Sequence, residues 1–256
     1  EVNCLSSSKY GSRWTEEETI LAFYYYCQIP FGKINKDNPE IKRIADILGR
    51  TPSSISFKMG NLAHFDPEMK KRSISGLKNA SKMDEDVVKR IFDNWEELTL
   101  LACSIERRFS KQKTEEFPEG KTRNSRVDVR VNQNFFRAAV LSSYHQKCCI
   151  TGIDIPDLLI ASHIKPWKDS DPKTERINPC NGLCLNALHD KAFDKGLITV
   201  LPDYTIRVSS KLKTNNEGLE WLLQCDNSKI LLPEKFVPEK VFLEYHNDVV
   251  FQHAYQ

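Results

Sequence analysis

No stretch of this 256-residue sequence approaches the roughly 20 consecutive apolar residues that a membrane helix needs. The opening Glu1-Val2-Asn3-Cys4 lacks the basic-then-apolar pattern of a secretory signal, so a cytoplasmic location with no membrane partner is expected. An excess of one charge is missing too. With 37 basic and 35 acidic residues the formal net charge is +2, and the whole chain does not announce a nucleic-acid partner. The eight cysteines are too sparse for a disulfide-rich secreted fold, which leaves free thiols as the expectation. Paired C-x-x-C knuckles are also absent: Cys148-Cys149 and the pair Cys180 and Cys184 miss the spacing of a structural zinc site. What is present is an ordinary hydrophobic content of 40% with 10% aromatics, enough to fill a core in two compact domains or one large one.

Charge is distributed less evenly than its sum suggests. Arg107, Arg108, Lys111, Lys113, Lys121, Arg123, Arg126 and Arg130 crowd one stretch, which could follow a phosphate backbone or serve as a solvated linker. Residues 1–12 are polar and expected to be disordered. Thr15-Glu16-Glu17-Glu18 reads as a capping box, and Ile20, Leu21, Phe23, Tyr24 and Cys27 recur at helical spacing until Pro30. A second helix is predicted from Pro39 to Leu48 with Gly49 as its stop, and a third from Ser53 to about Leu62 behind Thr51-Pro52. Their short connection has helix-turn-helix spacing. A long helix is predicted over Met83–Arg108. The boundary then falls in a basic linker, giving a helical domain over 13–110, the linker over 111–128 and a second domain over 129–256.

The second domain should open with a helix over Gln133–Tyr144. A strand is expected at Leu158–Ile164, a helix at Ala187–Phe193, and a hairpin from Ile198-Thr199-Val200 and Thr205-Ile206-Arg207-Val208. The tail should be loop and short helix. Within this skeleton Ser162-His163-Ile164-Lys165-Pro166-Trp167 puts a histidine at a strand end. Asn181-Gly182-Leu183 follows after a polar loop, and His189-Asp190-Lys191-Ala192-Phe193-Asp194 comes next. A lone histidine in such a place is usually structural; the ordered set is what carries weight.

That set resembles the HNH endonuclease family, in the branch with a Ser-His-Ile-x-Pro-Trp core and an Asn-Gly-Leu signature; Arg130, Gln133, Phe136, Arg137 and Cys149-Ile150-Thr151-Gly152 also fit it. The resemblance implies an α+β chain: an N-terminal helical, helix-turn-helix-like domain and a C-terminal ββα-metal nuclease domain. It also implies a catalytic set of His163 as general base, Asn181 holding the loop that orients it, and His189. A neutral imidazole accepts a proton from water near neutrality, and a cation holds charge on a phosphodiester. The metal is expected at His189, with Ser162 and Asp190 as neighbouring ligand positions; Asp194 is a further candidate or a hydrogen-bond partner of a histidine. Ser162 stands where many family members carry Asp or His, and Phe193 where some carry a second histidine. Mg2+ or Mn2+ is expected first, with Zn2+ or Ni2+ as alternatives.

Arg13-Trp14-Thr15, Glu17-Glu18 and Leu48-Gly49-Arg50-Thr51-Pro52 resemble the Myb/SANT-like three-helix DNA-binding domains. That likeness implies a third helix in the major groove, with Ser54, Ser56, Lys58 and Asn61 outward. The expected DNA-contacting residues are Arg50, Ser54, Lys58, Asn61, Arg130, Arg137 and Lys165. The reading that results is a metal-dependent endonuclease acting on double-stranded DNA, by family analogy in restriction or defence, and a homodimer where both strands are cut. Two alternatives stay open: a non-catalytic DNA-binding regulator that retains the fold, and a toxin-like effector whose first domain binds protein.

Overall fold

The computed structural model describes residues 9, 11–66, 69, 81–111, 124–212 and 217–252. Most of the expected disordered start, most of the 111–128 linker with its Lys113, Lys121 and Arg123, Cys4 and His253 lie outside the described residues. The chain divides into two compact units, Glu1–Phe135 and Phe136–Gln256.

In the first unit, α1 (Glu16–Gln28) opens on the expected capping box. Thr15 Oγ1 accepts from the Glu18 amide at 3.2 Å, and the Glu18 carboxylate accepts from the Thr15 amide at 3.0 Å. Helices α2 (Pro39–Leu48) and α3 (Pro52–Ala63) meet at Gly49, whose φ of 66° ends α2 in the left-handed region, and Thr51 caps α3 through the Ser54 amide. The helix predicted over Met83–Arg108 is instead two, α4 (Lys82–Asp93) and α5 (Trp95–Lys111). Asn94 leaves helical space with φ −156°, and its side chain accepts from the Glu97 amide at 3.3 Å, restarting the helix as a cap does. Phe23 and Tyr26 from α1, Ile44 from α2, Ile55 and Met59 from α3 and Trp95 from α5 are buried together as the core of this unit.

Two buried carboxylates, Glu18 and Asp84, meet cations in this unit, and they change what the third helix can offer. Glu18 is fully buried between Lys9 and Arg50, each at 2.7 Å. Burial pushes its carboxyl up, but the bonds from Arg50, Lys9 and the Thr15 amide outweigh this and hold it below the usual range. Lys58, expected outward, is buried and paired with the buried Asp84. The outward expectation fails for a physical reason. Asp84 caps α4 through Ser81 and brings a carboxylate against α3, and a lysine stem can bury itself to reach it.

The second unit is built on an antiparallel pair, β1 (Leu159–His163) and β2 (Gly182–Asn186), in which Ser162 faces Leu183 and His163 faces Gly182. Helix α6 (Asn124–Ser143), which begins well before the predicted Gln133, contributes Phe136, Ala139 and Val140 to the core of this unit. Gly182 explains how closely it can approach: a Cβ there would collide with Val140 Cγ2 and come within 3.0 Å of Phe136 Cζ. Helix α7 (Ala187–Asp194) follows β2 directly, and β3 (Ile198–Val200) pairs antiparallel with β4 (Ile206–Val208) as the predicted hairpin. The short helices α8 (Glu220–Leu223) and α9 (Lys240–Tyr245) precede a π-helical turn over His246–Val250. The mixed helical and small-sheet composition is that of an α+β chain.

Candidate active site

Strand β1 delivers Ser162 and His163 to one end of the hairpin, and a loop over 164–178 leaves from there and returns at Asn181. Asn181 is fully buried. Its Oδ1 accepts from the Lys165 amide at 2.8 Å, and its Nδ2 donates toward Lys165 O at 3.2 Å, Glu175 O at 3.2 Å and Ser170 Oγ at 3.3 Å. Its own carbonyl accepts from the Ile164 amide at 3.0 Å. One amide group therefore ties both ends and the middle of the loop.

The tie has a consequence one residue further on. The peptide after Glu175 presents the Arg176 carbonyl, and His163 Nε2 lies 2.8 Å from that oxygen. A carbonyl only accepts, so the proton sits on Nε2 and the lone pair on Nδ1. The His163 ring stacks on Phe136 at 3.9 Å and 11°, and Trp167 meets it edge-on at 5.6 Å. Burial lowers the pKa of His163, opposed in part by the Arg176 carbonyl and by the charge of Asp194, so the ring is neutral near neutral pH. These features together fix the tautomer and the orientation of the His163 ring.

Helix α7 carries two carboxylates, Asp190 and Asp194. Burial raises the pKa of Asp190 and the Ser162 hydroxyl draws it back; the Asp194 charge adds to the rise. Ser162 Oγ, itself buried, makes no well-formed hydrogen bond. Asp194 thus acts on both Asp190 and His163, and it stands one helical turn after Asp190. His189 is placed otherwise. Asn186 caps α7 by accepting from the Leu188 and His189 amides at 3.1 and 3.0 Å, and the same oxygen takes His189 Nδ1 at 3.1 Å. The proton is therefore on Nδ1, and His189 Nε2 is buried with no partner, its ring edge-on to Trp221 at 5.1 Å. Desolvation lowers its pKa.

The structure thus groups His163, Ser162, Asp190 and Asp194, and sets His189 against Asn186 and Trp221. Among the described residues no three His, Cys, Asp or Glu side chains converge as a ready cation cage. Two neighbours of His163, Phe136 and the Arg176 carbonyl, are partners that the sequence pattern does not single out; a carbonyl leaves no residue-type signal, though Phe136 sits on a face read as core.

The expected DNA-contacting residues fare unequally. Arg50 is spent on Glu18, on the carbonyls of Ser12 and Arg13, and on the Trp14 ring 4.3 Å away. Lys58 is spent on Asp84. Arg137 donates to Leu159 O at 2.8 Å at the start of β1, and Lys165 pairs with Glu175 at 2.6 Å. Ser54 and Asn61 line a groove of about 740 Å³ in the first unit with Trp14 and Phe57, and Arg130 is exposed.

His163, two carboxylates and a buried asparagine thus lie on an antiparallel strand pair followed directly by a helix. A family model described as HNH endonuclease matches residues 148–201, the span from Cys148 through β1, β2 and α7 to β3. An HNH domain therefore lies within the second unit, and that domain type points to nuclease activity in general. No curated protein matches the chain. No helix among the described residues is long and apolar enough to cross a membrane.

Proposed function

We propose that the second unit hydrolyses phosphodiester bonds of double-stranded DNA, with His163 as general base and a divalent cation held on α7. The observation that carries this is the bond from His163 Nε2 to the Arg176 carbonyl, which leaves Nδ1 as the free proton acceptor. His163 takes a proton from water through Nδ1, and the resulting hydroxide attacks phosphorus. The imidazolium so formed is favoured by the Arg176 carbonyl and by Asp194. Asn181 holds the loop so that the acceptor geometry survives each turnover.

The donor set fits a hard cation. Asp190 and Asp194 offer oxygens one turn apart, and Mg2+ or Mn2+ commonly binds one or two carboxylates, completing its shell with phosphate and water. The unpartnered, buried Nε2 of His189 is the further candidate donor. When bound, such a cation supplies positive charge for the scissile phosphate and the departing oxygen. Ser54, Asn61 and Arg130 remain as DNA contacts for the helical unit, and degradation of incoming DNA in restriction is the cellular use that fits, with a homodimer for cutting both strands.

The test is plasmid nicking with Mg2+ and Mn2+. Wild type should convert supercoiled to open circles, and His163→Ala should slow this by about 10²- to 10⁴-fold while still shifting DNA on a gel. The second reading, a non-catalytic DNA-binding regulator, is favoured by Ser162 in a ligand position and by the lack of a preformed cage among the described residues. It prevails where wild type shifts DNA and leaves it intact with every metal.

A further inference from the structure

The residues after Leu201 lie outside the matched family segment, yet the chain comes back to the site at its far end. Tyr245, the last residue of α9, lies under Lys165 Nζ at 5.2 Å, and its hydroxyl feels the charge of Asp169; both belong to the loop that carries Arg176. The next residue, His246, reaches the opposite side. Its ring stacks on Phe193 of α7 at 3.7 Å and 12°, and its Nε2 donates to the Phe193 carbonyl at 3.2 Å. Its Nδ1 accepts from Thr199 Oγ1 at 2.8 Å, so both ring nitrogens are satisfied in one tautomer. His246 is buried.

Beyond it the chain closes over the end of α7. The Gln252 amide donates to Gly196 O at 2.8 Å, and its side chain donates to Lys195 O at 2.7 Å. Gly196, at φ +64°, admits the Val250 carbonyl where any Cβ would collide with it. A helix leaves its last carbonyls without intrahelical partners, and here residues 246–252 supply donors at the end that carries Asp194. Consecutive residues thus grip the loop that orients the base and the helix that bears the carboxylates.

We propose that residues 245–252 form a clasp that sets the spacing between His163 and the α7 carboxylates, with His246 as its positioning residue on the helix side and Tyr245 on the loop side. This rests on the proposed nuclease reading. The clasp touches no substrate; it fixes where the two halves of the site stand. Its two arms therefore have separable effects. Loosening the helix arm moves cation binding. Loosening the loop arm moves proton transfer and leaves cation binding alone.

The experiment compares full-length wild type, His246→Phe combined with Thr199→Val, and Tyr245→Phe. The double variant keeps the ring stack on Phe193 and removes both partners of the Thr199–His246 bond, so the fold is spared an orphaned hydroxyl. Tyr245→Phe keeps the ring beneath Lys165 and loses only the hydroxyl that faces Asp169. Mn2+ affinity is read by electron paramagnetic resonance, kcat and KM by nicking, and the fold by circular dichroism and Tm. The double variant should bind Mn2+ about tenfold more weakly and lose kcat by about tenfold or more, with KM for DNA little changed. Tyr245→Phe should lower kcat several-fold, to about a third or less, at wild-type Mn2+ affinity. Wild-type Mn2+ affinity and kcat in both variants, with only Tm reduced, overturns the clasp. A wild type that binds no Mn2+ and cuts nothing overturns the nuclease reading beneath it, a result distinct from the first.

Discussion

Replacing Asn181 by alanine tests the link between the loop and the base most directly. The side chain satisfies the Lys165 amide, accepting at 2.8 Å, and donates toward the Glu175 carbonyl at 3.2 Å; alanine can do neither. Each buried group left without a partner costs about 1–3 kcal/mol, so two such groups give roughly 2–6 kcal/mol before relaxation. With about 2–4 °C per kcal/mol for a protein of this size, Tm should fall by about 5–20 °C. The kinetic effect should be steeper. The Glu175 carbonyl is one peptide from the Arg176 carbonyl that fixes the His163 tautomer, and a displacement of about 1 Å at a reacting group costs on the order of 10²-fold in rate. Asn181→Asp is the sharper control, since it keeps the shape and turns the donor facing the Lys165 and Glu175 carbonyls into an acceptor. Differential scanning calorimetry and single-turnover nicking measure both effects. Wild-type rate and wild-type Tm in Asn181→Ala would refute the argument from the loop to the base.

Gly182→Ala should lose about 1–3 kcal/mol by overpacking against Val140 and Phe136. Because His163 stacks on Phe136, kcat should fall with Tm; an unaltered nicking rate would sever that connection. Asp194→Asn removes a charge that raises the pKa of His163, so the acid limb of the rate profile should move to lower pH, and Mn2+ should bind more weakly. A pH–rate series with a Mn2+ titration decides both. Stability should also depend on acid. His246 falls from its ordinary value of 6.5 to about 4 through burial, so the unfolded chain binds its proton first. Stability contributed by the neutral ring is complete above about pH 6.5 and is lost as pH falls through about 4, a change of about 3 kcal/mol. Urea melts across that window should show the loss in wild type and a flatter curve in His246→Phe.

Sequence alone carried the elements that local chemistry decides. Thr15 with Glu18, Gly49 and Thr51-Pro52 each state a helix end in residue types, and α1, α2 and α3 begin and stop there. The hairpin around Pro202-Asp203-Tyr204 was legible for the same reason. Asn94 was not read as a cap, although Asn94 followed by Glu97 is a restart signal; the apolar stripe running through Trp95 masked it. Burial of Lys58 was illegible because its partner Asp84 comes from a distant helix. In the site, the groups that Asn181 bonds are mostly backbone amides and carbonyls of the neighbouring loop, which residue types do not declare. The grouping of Asp194 with His163 depends instead on which face of α7 meets β1, which an eight-residue helix with both polar and apolar flanks does not declare.

Trp167 stands edge-on to the His163 ring, 5.6 Å between centroids. An indole so near an imidazole loses emission when that imidazole takes up a proton, so the protein carries an optical gauge of the His163 ring. With Trp14, Trp95 and Trp221 exchanged for phenylalanine, the remaining fluorescence would follow the ionisation of a single ring in free enzyme, with no DNA and no turnover needed.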